Sequence, residues 1–75
     1  MSLSLSNQER TDHQNARAVY NELRAKFAND PTSLTEKERT ELKNTIAYMK
    51  MEVFTSWAAV SVADDILLNM QFAYA

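Results

Sequence analysis

The stretch Asn29-Asp30-Pro31-Thr32-Ser33 is the only strong interruption of helix-forming sequence in the chain. Proline cannot continue a helix because it lacks an N–H group, and it biases the residue before it toward extended backbone. Asn29 can end the preceding helix in the left-handed conformation that glycine usually supplies. The stretch therefore predicts one turn, over residues 29–34, between two helices.

The composition of the whole sequence favours an all-α domain. It has 75 residues with no glycine, one proline and no cysteine, and 45% of its residues are hydrophobic. The absence of glycine disfavours hairpin-rich β folds, phosphate-binding glycine loops and the nucleophile elbow of α/β-hydrolases. The absence of cysteine excludes disulfides and thiolate metal sites, which often reinforce small cores. We expect one helical domain that depends on helix packing or on a partner.

A first helix is predicted over residues 8–28, after a flexible N-terminus at residues 1–7. Its N-cap is Ser6 or Asn7, because a side-chain oxygen there accepts a hydrogen bond from a free backbone N–H. Its apolar residues are spaced by three and four, as in an amphipathic helix. These residues are Ala16, Val19, Tyr20, Leu23 and Phe27.

A second helix is predicted over residues 35–74. Two overlapping capping boxes precede it, Ser33 with Glu36 and Thr35 with Glu38, and either satisfies the first backbone N–H groups. A 4-3 repeat, with nine of ten positions apolar, then follows without interruption and is typical of a coiled-coil seam. Its positions are Leu42, Ile46, Met49, Val53, Ser56, Val60, Ala63, Leu67, Met70 and Tyr74.

These lengths favour a helical hairpin with a long second helix. The alternative is a break near Ser56, after which Ser61 and Asp64 could cap a third helix and give a three-helix bundle. In a hairpin that pairs Leu23 with Leu42, helix 1 reaches only residues 37–57, because both helices rise ~1.5 Å per residue. Residues 58–75 would then have no intramolecular partner, although they are rich in large apolar side chains.

The apolar C-terminal segment is therefore predicted to bind a second copy of the chain or another protein. Leaving so many large side chains in water would create an unusually extensive apolar patch. The predicted interface residues are Val53, Phe54, Trp57, Val60, Asp64, Asp65, Ile66, Leu67, Leu68, Met70, Phe72 and Tyr74.

The charged residues are unevenly distributed. Eight Lys and Arg residues against ten Asp and Glu give a formal charge of −2, and residues 53–75 contain no basic residue. A net charge this small and negative does not indicate a nucleic-acid partner. Arg10, Arg17 and Arg24 repeat every seven residues beside the apolar stripe of helix 1. Because acidic residues are interleaved with them, we interpret these arginines as candidate anchors for a protein partner.

No catalytic, cofactor or metal site is predicted. Adjacent residues on a helix point about 100° apart, so Asp64 and Asp65 do not converge on one proton or metal ion. Two interpretations stay open: one of them meets a Lys or Arg across an interface, or the pair lies in a solvated gap between two apolar stripes. His13 is the only imidazole and lies between Glu9 and Arg17 at helical spacing, which we interpret as a solvated charge ladder. The chain is expected to be non-enzymatic, without a cofactor.

The sequence predicts no membrane span. The uncharged run Val53 to Ala63 has only 11 residues, whereas a spanning helix needs ~20. Residues 1–6 lack the basic region and the continuous apolar core of a secretory signal. The default expectation is a cytoplasmic protein, with export by a signal-independent route left open.

Two features resemble the subunits of type III secretion needles, which are short helical hairpins with an Asn/Pro turn and an apolar C-terminal helix. They are Asn29-Asp30-Pro31 and the apolar run Val60 to Met70. The second proline of that family is absent shortly after Pro31, and the C-terminus is more aromatic. The resemblance covers the turn and the second helix, implies a helical hairpin, and transfers no functional residue.

Two functions fit this pattern. The favoured one is an oligomer or assembly subunit that associates through residues 53–75. The alternative is a small module, such as an inhibitor, an immunity protein or a phage-encoded antagonist, that binds a target through the helix 1 charges and the C-terminal aromatic residues.

Overall fold

The computed structural model describes residues 5–75, which form three α-helices and no strand. Helix α1 is Asn7–Asn29, α2 is Glu36–Glu52 and α3 is Trp57–Ala73. The all-α class is confirmed, and the three-helix alternative describes the chain. The continuous second helix over residues 35–74 is wrong. Residues 1–4, most of the predicted flexible N-terminus, lie outside the described part of the chain.

Helix α1 begins at a capping box. The Ser6 hydroxyl accepts a hydrogen bond from the Glu9 N–H (3.1 Å), and the Glu9 carboxylate accepts one from the Ser6 N–H (3.2 Å). These two bonds satisfy backbone donors that have no partner within the helix. Of the two N-caps that the sequence allowed, the structure uses Ser6, while Asn7 is the first residue of the helix.

Helix α1 ends without the left-handed residue predicted at Asn29. Asn29 is still helical, and no residue from 5 to 75 has a positive φ. Asp30 follows in extended backbone, with φ −148° and ψ 100°, as expected for a residue before proline. Because Pro31 itself stops the helix, a left-handed stop at Asn29 is unnecessary.

The turn that follows is held by the Asp30 side chain. Its carboxylate accepts hydrogen bonds from the Thr32 N–H (3.0 Å) and the Thr32 hydroxyl (2.9 Å). The backbone hydrogen bond, and next the hydroxyl, lower the pKa of the Asp30 carboxyl, because both favour its charged form. The turn is thus fixed by a local side-chain interaction rather than by glycine.

Of the two predicted capping boxes at the start of α2, one forms. The Thr35 hydroxyl accepts from the Glu38 N–H (3.1 Å), and the Glu38 carboxylate accepts from the Thr35 N–H (2.9 Å). The Ser33 hydroxyl donates instead to the Asp30 carbonyl oxygen (2.8 Å), which closes the turn. The helix therefore starts at Glu36.

Helix α2 stops at Glu52 although neither glycine nor proline is nearby. The N–H groups of Val53 and Phe54 both donate to the Met49 carbonyl oxygen, at 2.9 and 2.7 Å. Ser56 then caps α3 by accepting a hydrogen bond from the Ala59 N–H (3.1 Å). The cap predicted at Ser61 is wrong, because that residue lies inside α3. The β-branched, aromatic and hydroxyl side chains around the break are poor helix formers.

Helix α3 folds back antiparallel to α2. At one end the Lys50 ammonium lies 2.8 Å from the Asp64 carboxylate. At the other end the Leu34 N–H donates to the Tyr74 hydroxyl (2.8 Å), and the Arg39 guanidinium lies 4.2 Å from the centre of the Tyr74 ring. Helices α1 and α3 both pack mainly against α2.

One core joins all three helices. The expectation that residues 58–75 lack an intramolecular partner is wrong, because Ala63 and Met70 are buried and Ile66 and Leu67 pack beside them. Because of the break, the apolar residues of α3 pack against those of α2. The chain therefore covers much of its own C-terminal segment. The buried apolar residues are Tyr20, Leu23, Phe27, Leu34, Leu42, Ile46, Met49, Ala63 and Met70.

The ion pair between α1 and α2 makes stability depend on pH. The hydrogen bond from Lys26, followed by that from the Thr35 N–H, lowers the pKa of Glu38 from 4.5 to about 2. A depressed folded-state pKa stabilises the fold above the unfolded value, and this stabilisation is lost as the pH falls through the folded value. We expect Glu38→Gln to lower the melting temperature at pH 7, and the deficit to shrink between pH 4.5 and 2.

Circular dichroism melting of the wild-type and variant chains across this pH range measures the effect. Glu36→Gln is the matched control, because Glu36 lies in the same helical turn and forms no ion pair within residues 5–75. A Glu38→Gln deficit that stays constant down to pH 2 would contradict the assignment.

Candidate protein-interaction surface

The outer face of α3 carries both of the exposed aromatic side chains among residues 5–75, with an exposed leucine beside them. Trp57 is 83% exposed, Phe72 is 72% exposed and Leu68 is 50% exposed. At 100° per residue these three lie on one side of the helix, together with Ser61 and Asp65, and opposite the buried Ala63 and Met70. We use the term outer face for this set: Trp57, Ser61, Asp65, Leu68 and Phe72.

The outer face is large enough to matter energetically. An aromatic side chain can bury about 150–250 Å², so the exposed parts of Trp57, Leu68 and Phe72 add up to about 400 Å². This area is divided between Trp57 at one end and Leu68 with Phe72 at the other, ~22 Å along α3, with Ser61 and Asp65 between them. The face therefore offers two separate aromatic anchors of the kind that partners bind.

Of the two acidic residues of α3, just one lies free on the outer face. Asp64 forms an ion pair with Lys50 of its own chain at 2.8 Å. For Asp64, this pair takes the place of the predicted contact with a cation across an interface. Asp65 forms no ion pair or side-chain hydrogen bond within residues 5–75 and is exposed. It stands in the middle of the outer face with its charge uncompensated.

The other predicted interface residues contribute to the fold of the monomer. Met70 is fully buried. Phe54 packs edge-on against Tyr20 with ring centres 5.7 Å apart, and Tyr74 binds the Leu34 backbone. A further set is half-buried, and three of its members, Val53, Ile66 and Leu67, pack against the core. Val60 is half-buried as well.

A second feature is an open groove between α1 and α3, which we call the α1–α3 groove. It exists because both helices pack on α2 and only weakly on each other. Three connected hollows form it, the largest about 450 Å³. Two of these hollows are lined mostly by apolar surface, whereas the one beside the α2–α3 break has slightly more polar than apolar surface. The apolar side chains along the groove include Tyr20, Phe27, Phe54, Ala59, Val62 and Ile66.

Two of the three candidate recognition arginines line this groove. Arg17 and Arg24 line it from the α1 side, whereas Arg10 does not. The Arg24 guanidinium lies 5.4 Å from the centre of the Tyr20 ring, which holds it at the groove wall. None of the three arginines forms an ion pair within the described part of the chain. The groove was not predicted, because the favoured helical hairpin has no third helix beside α1 and the three-helix alternative did not specify how α3 packs.

The predicted charge ladder on α1 is wrong at His13. His13 is buried, and its ring meets the edge of Tyr48 at 6.0 Å with an interplanar angle of 72°. The antiparallel pairing of α1 and α2 places Tyr48 over this position. Burial, followed by the charges of Asp12, Glu52 and Glu9, raises the pKa of the Tyr48 hydroxyl.

No metal-binding cluster of three His, Asp or Glu residues is found from residue 5 to residue 75. In the same range no helix combines the length and the apolar character needed to cross a membrane. Comparisons of the chain with the models of known protein families, with curated proteins and with solved structures find no match.

Tyr74 is expected to stabilise the monomer rather than an interface. Tyr74→Phe keeps the ring on Arg39 but removes the acceptor for the Leu34 N–H. Leaving a buried donor unpaired costs about 1–3 kcal/mol, so the variant should unfold at lower urea concentration. Tyr48→Phe is the control, since the Tyr48 hydroxyl has no hydrogen bond within residues 5–75. Equal stability of the two variants would contradict the assignment.

Proposed function

We propose that this chain is a non-enzymatic assembly subunit that binds copies of itself through the outer face of α3. The observation that carries the proposal is the exposure of Trp57 and Phe72 on one face of one helix. Tryptophan is the side chain most enriched at the energetic centres of protein interfaces, and exposed aromatic pairs in a small chain are expensive to leave in water.

The distribution of apolar surface supports an interaction role for α3 in particular. The exposed positions of α1 are mostly polar or charged, whereas α3 has apolar residues on both its inner and outer sides. A helix that is apolar on two sides is typically surrounded by protein. The monomer covers the inner side with α2 and leaves the outer side open.

A second copy is favoured over an unrelated partner because the chain carries both charges of a complementary pair. Asp65 is uncompensated on the outer face, and Arg17 and Arg24 are uncompensated elsewhere on the same molecule. Charge complementarity of this kind steers partners together and sets their register. In self-association, Asp65 of one copy can pair with an arginine of another copy.

We expect Trp57→Ser to weaken self-association strongly while leaving the fold intact. Trp57 is almost free of contacts with its own chain, and serine is tolerated in the first turn of a helix. Loss of one buried aromatic side chain costs about 2 kcal/mol, or roughly a 30-fold rise in Kd. Sedimentation of the purified chain over a range of concentrations measures it, and circular dichroism checks the fold.

Met51→Ser is the matched control, because Met51 is 81% exposed but lies at the end of α2, away from the outer face. It should associate like the wild type. A wild-type chain that stays monomeric at several hundred micromolar would overturn the proposal and favour the module that binds a different target.

A further inference from the structure

We propose that the α1–α3 groove of one copy is the docking site for the outer face of α3 of the next copy. This inference rests on the function proposed above and supplies the other half of the interface. One molecule would then present a donor surface, the outer face, and a separate acceptor surface, the groove.

The groove has the chemistry to receive an apolar helix. Its lining is formed by aromatic and aliphatic side chains of α1, the α2–α3 break and α3, among them Tyr20, Phe54 and Val62. On the α3 side of the groove, Ala58 and Ala59 project little, since neither side chain extends beyond a methyl group. Because helices packed through small residues approach closely, a helix of a second copy could lie between α1 and α3.

The charges of the groove and of the outer face are complementary. Arg17 and Arg24 line the groove and have no carboxylate partner within residues 5–75. On the outer face the one charged side chain is Asp65, and α3 contains no basic residue at all. An arginine fixed on an aromatic ring, as Arg24 is on Tyr20, is well placed to bind a carboxylate at an interface.

The positions of these charges along the two surfaces also agree. Arg17, at one end of the groove, lies seven residues or ~10 Å from Arg24 along α1, and Pro31, in the turn just beyond the end of α1, lines the other end. Asp65 lies eight residues from Trp57 and seven from Phe72, or ~12 and ~10 Å along α3. A helix laid in the groove therefore brings Asp65 to Arg24 and its two aromatic anchors to the groove ends.

The same geometry argues against a symmetric contact between two outer faces. Antiparallel α3 helices that pair Trp57 with Phe72 of the second copy would place the two Asp65 carboxylates near each other at the dyad. Like charges in an apolar contact repel strongly, because water no longer screens them. Docking into the groove replaces this repulsion by attraction to Arg24.

A donor surface and a different acceptor surface make a heterologous interface. Such an interface propagates, so copies of the chain form a closed ring or an open filament instead of stopping at a symmetric dimer. Each added subunit would bury one outer face and one groove. The size of the particle thus depends on the rotation between neighbours.

A complementation experiment tests the two surfaces separately. Trp57→Ser with Phe72→Ser disables the donor and keeps the groove, while Arg24→Glu disables the acceptor and keeps the outer face. We expect each variant to sediment as a monomer where the wild type assembles, and an equimolar mixture to give a 1:1 dimer that does not grow. A mixture that remains monomeric, or an Arg24→Glu chain that assembles like the wild type, would overturn the proposal.

A charge-reversal cycle tests the pairing of Asp65 with Arg24. Each of Asp65→Arg and Arg24→Glu should weaken association at least tenfold, and the double variant should return to within about threefold of the wild type. Arg10→Glu is the matched control, because it makes the same charge change in the same arginine stripe outside the groove. A double variant as weak as the two single variants would refute the pairing.

These outcomes distinguish failure of the groove proposal from failure of the proposed self-association. If the wild type assembles and Trp57→Ser blocks assembly, but Arg24→Glu and the cycle have no effect, the groove proposal fails while self-association stands. If the wild-type chain does not assemble at all, both proposals fail together.

Discussion

The hydrogen bond from the Ala59 N–H to the Ser56 hydroxyl fixes where α3 begins, and the position of α3 determines every surface described above. With this cap the chain leaves α2 after Glu52 and returns along it, so that Met70 enters the core and Tyr74 reaches Leu34. Had the helix continued, the apolar residues of both sides of α3 would be in water. The break divides them into a buried inner side and an exposed outer face.

The sequence predicted some local features correctly, but not the end of α1 at Asn29 or the roles of Ser33 and Ser61. The first helix, the extended Asp30 and the Thr35 capping box depend on neighbouring residues, and all three are found. The end of α2 combines poor helix formers and the Ser56 cap with a contact between distant residues, Phe54 on Tyr20. Hydrophobic periodicity cannot detect such a break, because the 4-3 spacing continues in phase across it.

The candidate site was predictable to a similar degree. Trp57 and Phe72 were among the predicted interface residues and are exposed on one face, as a surface for a partner requires. Met70 and Tyr74 were also predicted there, but they pack within the monomer, since in a helix of mixed apolar residues the pattern does not tell which side faces inward. The α1–α3 groove could not be foreseen, because it is produced by the packing of two helices on a third.

Trp57 is the only tryptophan in the chain, and it lies almost entirely in solvent at the start of α3. Its indole ring is thus in nearly the same surroundings in the folded monomer as in the denatured chain. Tryptophan fluorescence would therefore change little on folding. It would respond to any event that removes water from around this ring. The chain contains a built-in optical reporter of contact with its surroundings.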